Sequence, residues 1–457
     1  MRPRIPTLCL LIPLATTTVA LPMAAQQKPA AAPAVTAAAD PHKGDPNWER
    51  ARRVLRASPL VDGHNDLPWR IREDSVHGRD VAAYDLRHRT PGHTDLERLK
   101  QGMVGAQFWS VYIPGEPDDA NYARQGAVAS TPGYARVQLE QIDIARRTIA
   151  RYPDRLAPAY SEADVRREFA RGRIASLLGM EGGHAIENSL GTLRAYYDLG
   201  VRYMTLTHNV TLDWADAALD SAKHGGLTPF GEEVVREMNR LGMLVDLSHV
   251  SPGTMSDALR VSEAPVIFSH SSARALVDFP RNVPDSILAL LPKNGGVVMV
   301  TFVPGFVSAE AMAWEKEEGA QRDAARQRSP GDSAAARKAL DDWRAAHPKP
   351  RATIAQVADH IEHVRKVAGV DHVGIGGDFD GVSDLPVGIP DVSGYPALFA
   401  ELARRGWSDA DLKKLAGENV LRVLKQAEAV AHRLQRERAP STKTIEEMDG
   451  KAGTIKS

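Results

Sequence analysis

From about Trp48 onward, short apolar runs alternate with stretches whose apolar positions recur at helical spacing. The runs fall at 59–63, 104–112, 174–180, 202–207, 243–248, 265–269, 296–302 and 373–377. Helical periodicity predicts an opening helix over 47–55, then helices over 133–151, 190–199, 229–241, 252–260, 284–291 and near 353–368. Runs of this length without polar alternation predict strands buried on both faces, as in a parallel sheet. Eight such runs interleaved with helices predict an α/β fold, and eight is the number that closes a (β/α)8 TIM barrel.

Two regions lie outside this repeat. Residues 308–350, after the seventh run, are rich in Ala, Glu, Arg and Lys and predict an inserted helical hairpin over the barrel mouth or side. Their charges are most simply a solvated face. From Tyr395 the pattern predicts C-terminal amphipathic helices, including Asp409 to Leu415 and Glu418 to Leu434. Residues 439–457 are expected to be a disordered tail, so the barrel domain is expected to span 45–438.

The N-terminus follows a different pattern. Arg2 and Arg4 precede an apolar run from Leu8 to Leu21, and small residues follow at Ala24 and Ala25. This predicts a signal peptide over 1–25 and export to the periplasm or beyond. The competing reading, a membrane anchor, is weakened by the shortness of the run and by Pro13 within it. Residues 26–44, rich in Ala, Pro and Gln, predict a disordered linker.

Composition narrows the chemistry. The chain has 457 residues, 43% hydrophobic and 25% charged, with a formal net charge of −1. That balance gives no basis for a nucleic-acid or polyanionic partner. The single cysteine, Cys9, lies in the predicted signal peptide. Disulfides and thiolate ligands are therefore not expected after cleavage, and any metal must be held by His, Asp or Glu.

Potential ligands sit where the apolar runs end. His64 and Asp66 follow the first run; Glu181, His208, His249, His270 and Asp378 end the third, fourth, fifth, sixth and eighth. A parallel barrel gathers strand C-termini around one cavity. Each histidine alone is more simply a satisfied polar residue, but the recurrence at successive strand ends argues for a site. Two divalent ions would need a bridging carboxylate, and Glu181 is the natural one. His64 and Asp66 would complete one ion, His249 and His270 the other. Nitrogen and oxygen ligands suit two Zn²⁺, with Mn²⁺ or Co²⁺ as alternatives. Water between such ions becomes hydroxide near neutral pH, a nucleophile. His208 is placed to bind an oxyanion, and Asp378 to move protons or bind an ammonium. Asp380, two residues on, rivals Asp378. Arg281 suits bidentate binding of a carboxylate, with a surface salt bridge as its competing role.

At these residues the chain resembles the membrane (renal) dipeptidase family, binuclear zinc peptidases among the amidohydrolase-like barrels. The matching segments include Val61-Asp62-Gly63-His64-Asn65-Asp66, Gly179-Met180-Glu181-Gly182-Gly183 and Leu206-Thr207-His208-Asn209. They continue with Asp246-Leu247-Ser248-His249, Phe268-Ser269-His270-Ser271, Pro280-Arg281-Asn282-Val283-Pro284 and Gly376-Gly377-Asp378-Phe379-Asp380-Gly381. The resemblance implies that His64, Asp66 and Glu181 bind one zinc, and Glu181, His249 and His270 the other. It implies that His208 and Arg281 contact substrate, Arg281 at the terminal carboxylate, and that Asp378 rather than Asp380 is the acid/base residue near the amine. Family members cleave dipeptides, often with a C-terminal D-residue, and some open β-lactams. The sequence departs from the animal enzymes in lacking their cysteines and a hydrophobic C-terminal tail, so no membrane anchor is expected in the mature chain. Phe306 also stands where a substrate-side tyrosine is expected, and the 308–350 insertion is unusual. The expected partner is a small dipeptide; a homodimer is left open. The alternative functions are a binuclear amidohydrolase acting on lactams or other amides, and a zinc-binding protein without catalysis.

Overall fold

The computed structural model describes residue 42 and residues 44–115 and 133–450. The chain divides between Lys43 and Gly44, and the account below concerns the unit from Gly44 onward. The expected signal peptide and nearly all of the expected linker lie outside the described residues. No helix among the described residues is long and apolar enough to cross a membrane.

The strands are β1 (Leu60–Asn65), β2 (Val104–Ser110), β3 (Leu156–Pro158), β4 (Ile174–Glu181), β5 (Val201–Thr205), β6 (Leu244–Asp246), β7 (Ile267–Phe268), β8 (Val297–Val300) and β9 (Val373–Ile375). They form one parallel sheet in the order β2-β1-β9-β8-β7-β6-β5-β4-β3, and a further β2–β4 pairing closes it. Eight strands therefore make the ring, the expected (β/α)8 barrel. β3 was not expected. It pairs with Ile174 to Ser176 at the start of β4, whereas β5 pairs with the later part, Leu178 to Glu181. The chain thus does not pass directly from the 133–151 helix to β4; β3 and the helix Glu162–Ala170 intervene.

Local sequence accounts for the helices. Thr228 and Ser251 cap helices that open on Pro229 and Pro252, where a missing N–H costs nothing. Gly242, at φ 84°, ends the Pro229–Leu241 helix in the left-handed region that glycine tolerates. The single helix expected over 284–291 is instead two short turns, Asp285–Leu288 and Leu291–Asn294. Pro292 offers no N–H to continue the first turn into the second.

Several strands are shorter than their apolar runs because side chains take over the backbone at their ends. Asp246 accepts hydrogen bonds from the N–H groups of Ser248 (3.1 Å) and Ser269 (2.8 Å), and Asp62 accepts one from Gly377 N–H (2.7 Å). The polar strand ends are therefore held by buried carboxylates where ladder bonds stop.

The insertion is a helical hairpin, Ala309–Arg328 against Ser333–Ala346. Of the segment from 304 to 350, only Phe306 lines the central cavity. The expectation of a disordered 439–457 tail is corrected as far as Asp449. Thr444 caps a short helix, Ile445–Asp449, in which Ile445 is buried. Asp449 accepts hydrogen bonds from Thr228 Oγ1 (2.6 Å) and Phe230 N–H (2.9 Å), at the N-terminus of the Pro229–Leu241 helix. Unpaired N–H groups at a helix start favour such an acceptor, which ties the tail down.

Candidate active site

β1, β4, β5, β6, β7 and β9 deliver His64, Asp66, Glu181, His208, His249, His270 and Asp378 to one end of the barrel. Glu181 stands at the centre. Its Oε2 lies 3.4 Å from His64 Nε2, and its Oε1 lies 2.8 Å from His249 Nε2 and 3.3 Å from His270 Nε2. His64 Nε2 is also 3.2 Å from Asp66 Oδ2 and 3.9 Å from Asp378 Oδ1. His208 offers a ring nitrogen within 4.8 Å of a Glu181 carboxylate oxygen and a His249 ring nitrogen. Arg281 lines the same cavity, about 550 Å³ in volume. The structure thus brings together all eight site residues expected from sequence.

Asp380 is separated from its rival by its partners. Its Oδ1 accepts the N–H of His93 at 2.6 Å, and its own N–H donates to His93 Nδ1 at 3.0 Å. It also lines the cavity but is not among the ligand-capable groups clustered with His64, which are Asp66, Glu181, His270 and Asp378. His249, Asp378 and Asp380 have φ of 68°, 61° and 65°. Non-glycine residues adopt such values at a cost of roughly 1–3 kcal/mol each, and this strain concentrates where side chains must be aimed.

The second nitrogen of each central histidine is engaged outside the cluster. His64 Nδ1 lies 2.8 Å from Tyr203 Oη, His249 Nδ1 donates to Asn209 Oδ1 at 3.0 Å, and His270 Nδ1 lies 2.8 Å from Ser269 Oγ. Ser269 Oγ donates in turn to Asp246 Oδ2 at 2.6 Å. With the Nδ1 positions used this way, the Nε2 lone pairs converge on Glu181. Sequence reasoning did not find Tyr203, Asn209 or Ser269. One signal for Tyr203 was available: Gly179 interrupts β4, and a Cβ there would lie 2.0 Å from the Tyr203 ring.

Burial dominates the electrostatics. It pushes His249 well below its ordinary pKa, reinforced by Arg281, and His270 likewise, reinforced by His64. Burial raises Asp378 to about 8, opposed by His64 and helped by the carboxylates of Asp66 and Glu181. Glu181 stays well below the usual range: burial pushes it up, but the neighbouring imidazoles of His64, His249 and His270 outweigh that. Two neutral imidazoles, an anionic Glu181 and convergent lone pairs form a donor set for a cation. The buried His64 Nε2 and Asp66 Oδ1 have no hydrogen-bond partner, and His249 Nε2 faces His270 Nε2 at 3.0 Å. A divalent metal satisfies all of these atoms together, so the residues fit one. The donors are nitrogen and oxygen only, which suits zinc.

A parallel eight-stranded barrel with such a centre at its strand C-termini defines the class of metal-dependent barrel hydrolases. The chain belongs to the membrane dipeptidase family (peptidase family M19), whose model matches residues 48–438. Similar solved structures include a probable dipeptidase, PvdM, from Pseudomonas aeruginosa. It is 27% identical, with 86% of this chain and 100% of that one covered and a TM-score of 0.70. A metallo-peptidase from Rhodobacter sphaeroides, solved with a phosphinate mimic of the dipeptide L-Ala-D-Ala, is 26% identical over 81% of this chain and 99% of that one, with a TM-score of 0.65. A further metallo-dipeptidase of family M19 is 26% identical over 81% and 98%, also with a TM-score of 0.65. The protein is a metallo-dipeptidase.

Proposed function

We propose that this protein is an exported dipeptidase holding two zinc ions, and that it accepts dipeptides with a C-terminal D-residue. The observation that carries the substrate reading is Arg281. It is 2% exposed, lines the cavity and makes no ion pair among the described residues; its hydrogen bonds, to Ser271 Oγ at 3.5 Å and His270 O at 3.4 Å, are long. Burial lowers it only to about 10, so it remains a cation at neutral pH. A buried guanidinium without an acid partner is costly unless a ligand supplies one. Asp378 lines the same cavity; burial holds its proton up to about pH 8, and an ammonium or metal ion beside it would favour the carboxylate. A free dipeptide carries the complementary carboxylate and ammonium.

His64, Asp66 and Glu181 would hold one ion, and Glu181, His249 and His270 the other. Such a pair polarises a carbonyl and lowers the pKa of water toward neutrality. Arg281 grips the terminal carboxylate bidentately. Phe306, whose ring centroid is 5.3 Å from the Arg281 guanidinium carbon, flanks it with a ring face rather than a hydroxyl. His208 donates a hydrogen bond to the carbonyl oxygen as charge develops there. Asp378 takes a proton from the attacking water and delivers it to the leaving amine.

The D-residue reading is supported by the L-Ala-D-Ala mimic bound to the Rhodobacter relative. Export is supported by Arg2, Arg4 and the apolar run that follows. The test is a panel of L,L- and L,D-dipeptides, their C-terminal amides and a lactam, assayed with and without chelator. Chelator-sensitive cleavage of free dipeptides is expected. Cleavage of the amides at equal rates would favour a general amidohydrolase instead.

A further inference from the structure

Tyr203 is wholly buried in the middle of β5, with its hydroxyl 2.8 Å from His64 Nδ1 and 3.2 Å from the carbonyl oxygen of Gly63. The phenol has one hydrogen and two neighbours. The Gly63 carbonyl can only accept, so it claims that hydrogen, and the Tyr203 oxygen is left to accept from His64 Nδ1–H. A proton is thereby kept on Nδ1, and Nε2 is the nitrogen left to turn its lone pair to a cation held beside Asp66 and Glu181. The opposite tautomer would aim an N–H at those carboxylates, offer a cation nothing, and leave Gly63 O facing a hydroxyl that points away.

The surrounding packing is shaped around this ring. Gly179 leaves the space the phenol occupies, and Phe108 packs against it with ring centroids 5.2 Å apart. The other two central histidines reach amide and serine oxygens instead; only His64 depends on a phenol.

We infer that Tyr203 is a positioning residue for metal binding: through its bond to Gly63 O it holds His64 in the tautomer that presents Nε2 to a cation. The inference rests on the two-zinc reading above. Partners of this kind are worth about 10- to 100-fold in metal affinity.

The test is zinc affinity by chelator competition, with the thermal midpoint of the metal-free protein measured in parallel. Tyr203→Phe keeps the ring against Gly179 and Phe108 and removes only the hydroxyl. It should weaken the ion held by His64 by about 10- to 100-fold, while the metal-free midpoint stays near the parent's. Gly179→Ala, which pushes the ring without touching a ligand, should weaken zinc in the same direction. Unchanged zinc affinity in Tyr203→Phe would overturn the inference. So would weakened affinity accompanied by an equal loss of metal-free stability, which would mark the hydroxyl as a packing element. A parent protein that binds no zinc would instead sink the two-zinc reading itself.

Discussion

His249 Nε2 and His270 Nε2 face each other 3.0 Å apart, with Glu181 Oε1 2.8 Å from the first and 3.3 Å from the second. Both rings are held neutral by burial, and both Nδ1 atoms are engaged elsewhere. Two lone pairs and an anionic oxygen so close together repel unless a cation lies among them. Zinc binding should therefore stabilise the fold, by about 2.7 kcal/mol at a free concentration 100-fold above Kd. Thermal unfolding with added zinc and with chelator measures this. Glu181→Gln should lose most of the zinc-dependent shift; retention of the full shift would remove Glu181 from the centre.

Asp378 is the acid on the cavity that the metal ligands do not require. Asp378→Asn should keep the zinc content and lower kcat by roughly 100- to 10,000-fold, the range for a general acid–base group. Metal analysis and steady-state kinetics on the same sample check both halves. Asp380, bound to His93, should matter to folding of its loop more than to proton transfer. Asp380→Asn is expected to leave kcat within about tenfold of the parent, less than such a group supplies.

Arg281 gives the clearest substrate-side test. Arg281→Ala should raise KM for free dipeptides by about 10- to 100-fold, the value of a charge-assisted bidentate contact. The same substitution should hardly change KM for dipeptide amides, which lack the carboxylate. Equal effects on both substrates would mean that Arg281 acts on the cavity's shape.

The barrel and its ligands were legible because both depend on patterns along one strand. Each ligand stands where an apolar run turns polar, and parallel strands must put those points at one end. The histidines' partners were not legible in this way. Tyr203 is 139 residues from His64, and nothing in its local pattern separates it from other buried strand aromatics. Ser269 adjoins His270, yet its role depends on Asp246 across the β6–β7 pair. β3 was missed because three residues carry no usable period, and the ordered tail because one carboxylate, Asp449, holds it to a distant helix.

Acid should destabilise the protein through a histidine that does not line the cavity. His360 is buried and accepts the Ala273 N–H on Nδ1 at 3.0 Å; burial lowers its pKa to about 4. The unfolded chain takes up this proton near pH 6.5 and the folded one only near 4, so the unfolded state binds more protons in between. The contribution is complete above about pH 6.5 and is lost as pH falls toward 4, to a total of about 3 kcal/mol. Denaturant midpoints at pH 7.5 and 4.5 should therefore differ less in His360→Gln than in the parent. An identical pH dependence in the two would assign the loss to other groups.

The central claim is that Glu181 is shared by two cations. Diffraction from zinc-loaded crystals at the zinc absorption edge addresses it directly. The account predicts two anomalous peaks about 3.5–4 Å apart, one beside His64 and Asp66, the other beside His249 and His270, with Glu181 between them. A single peak, or peaks that leave Glu181 uncoordinated, would contradict it.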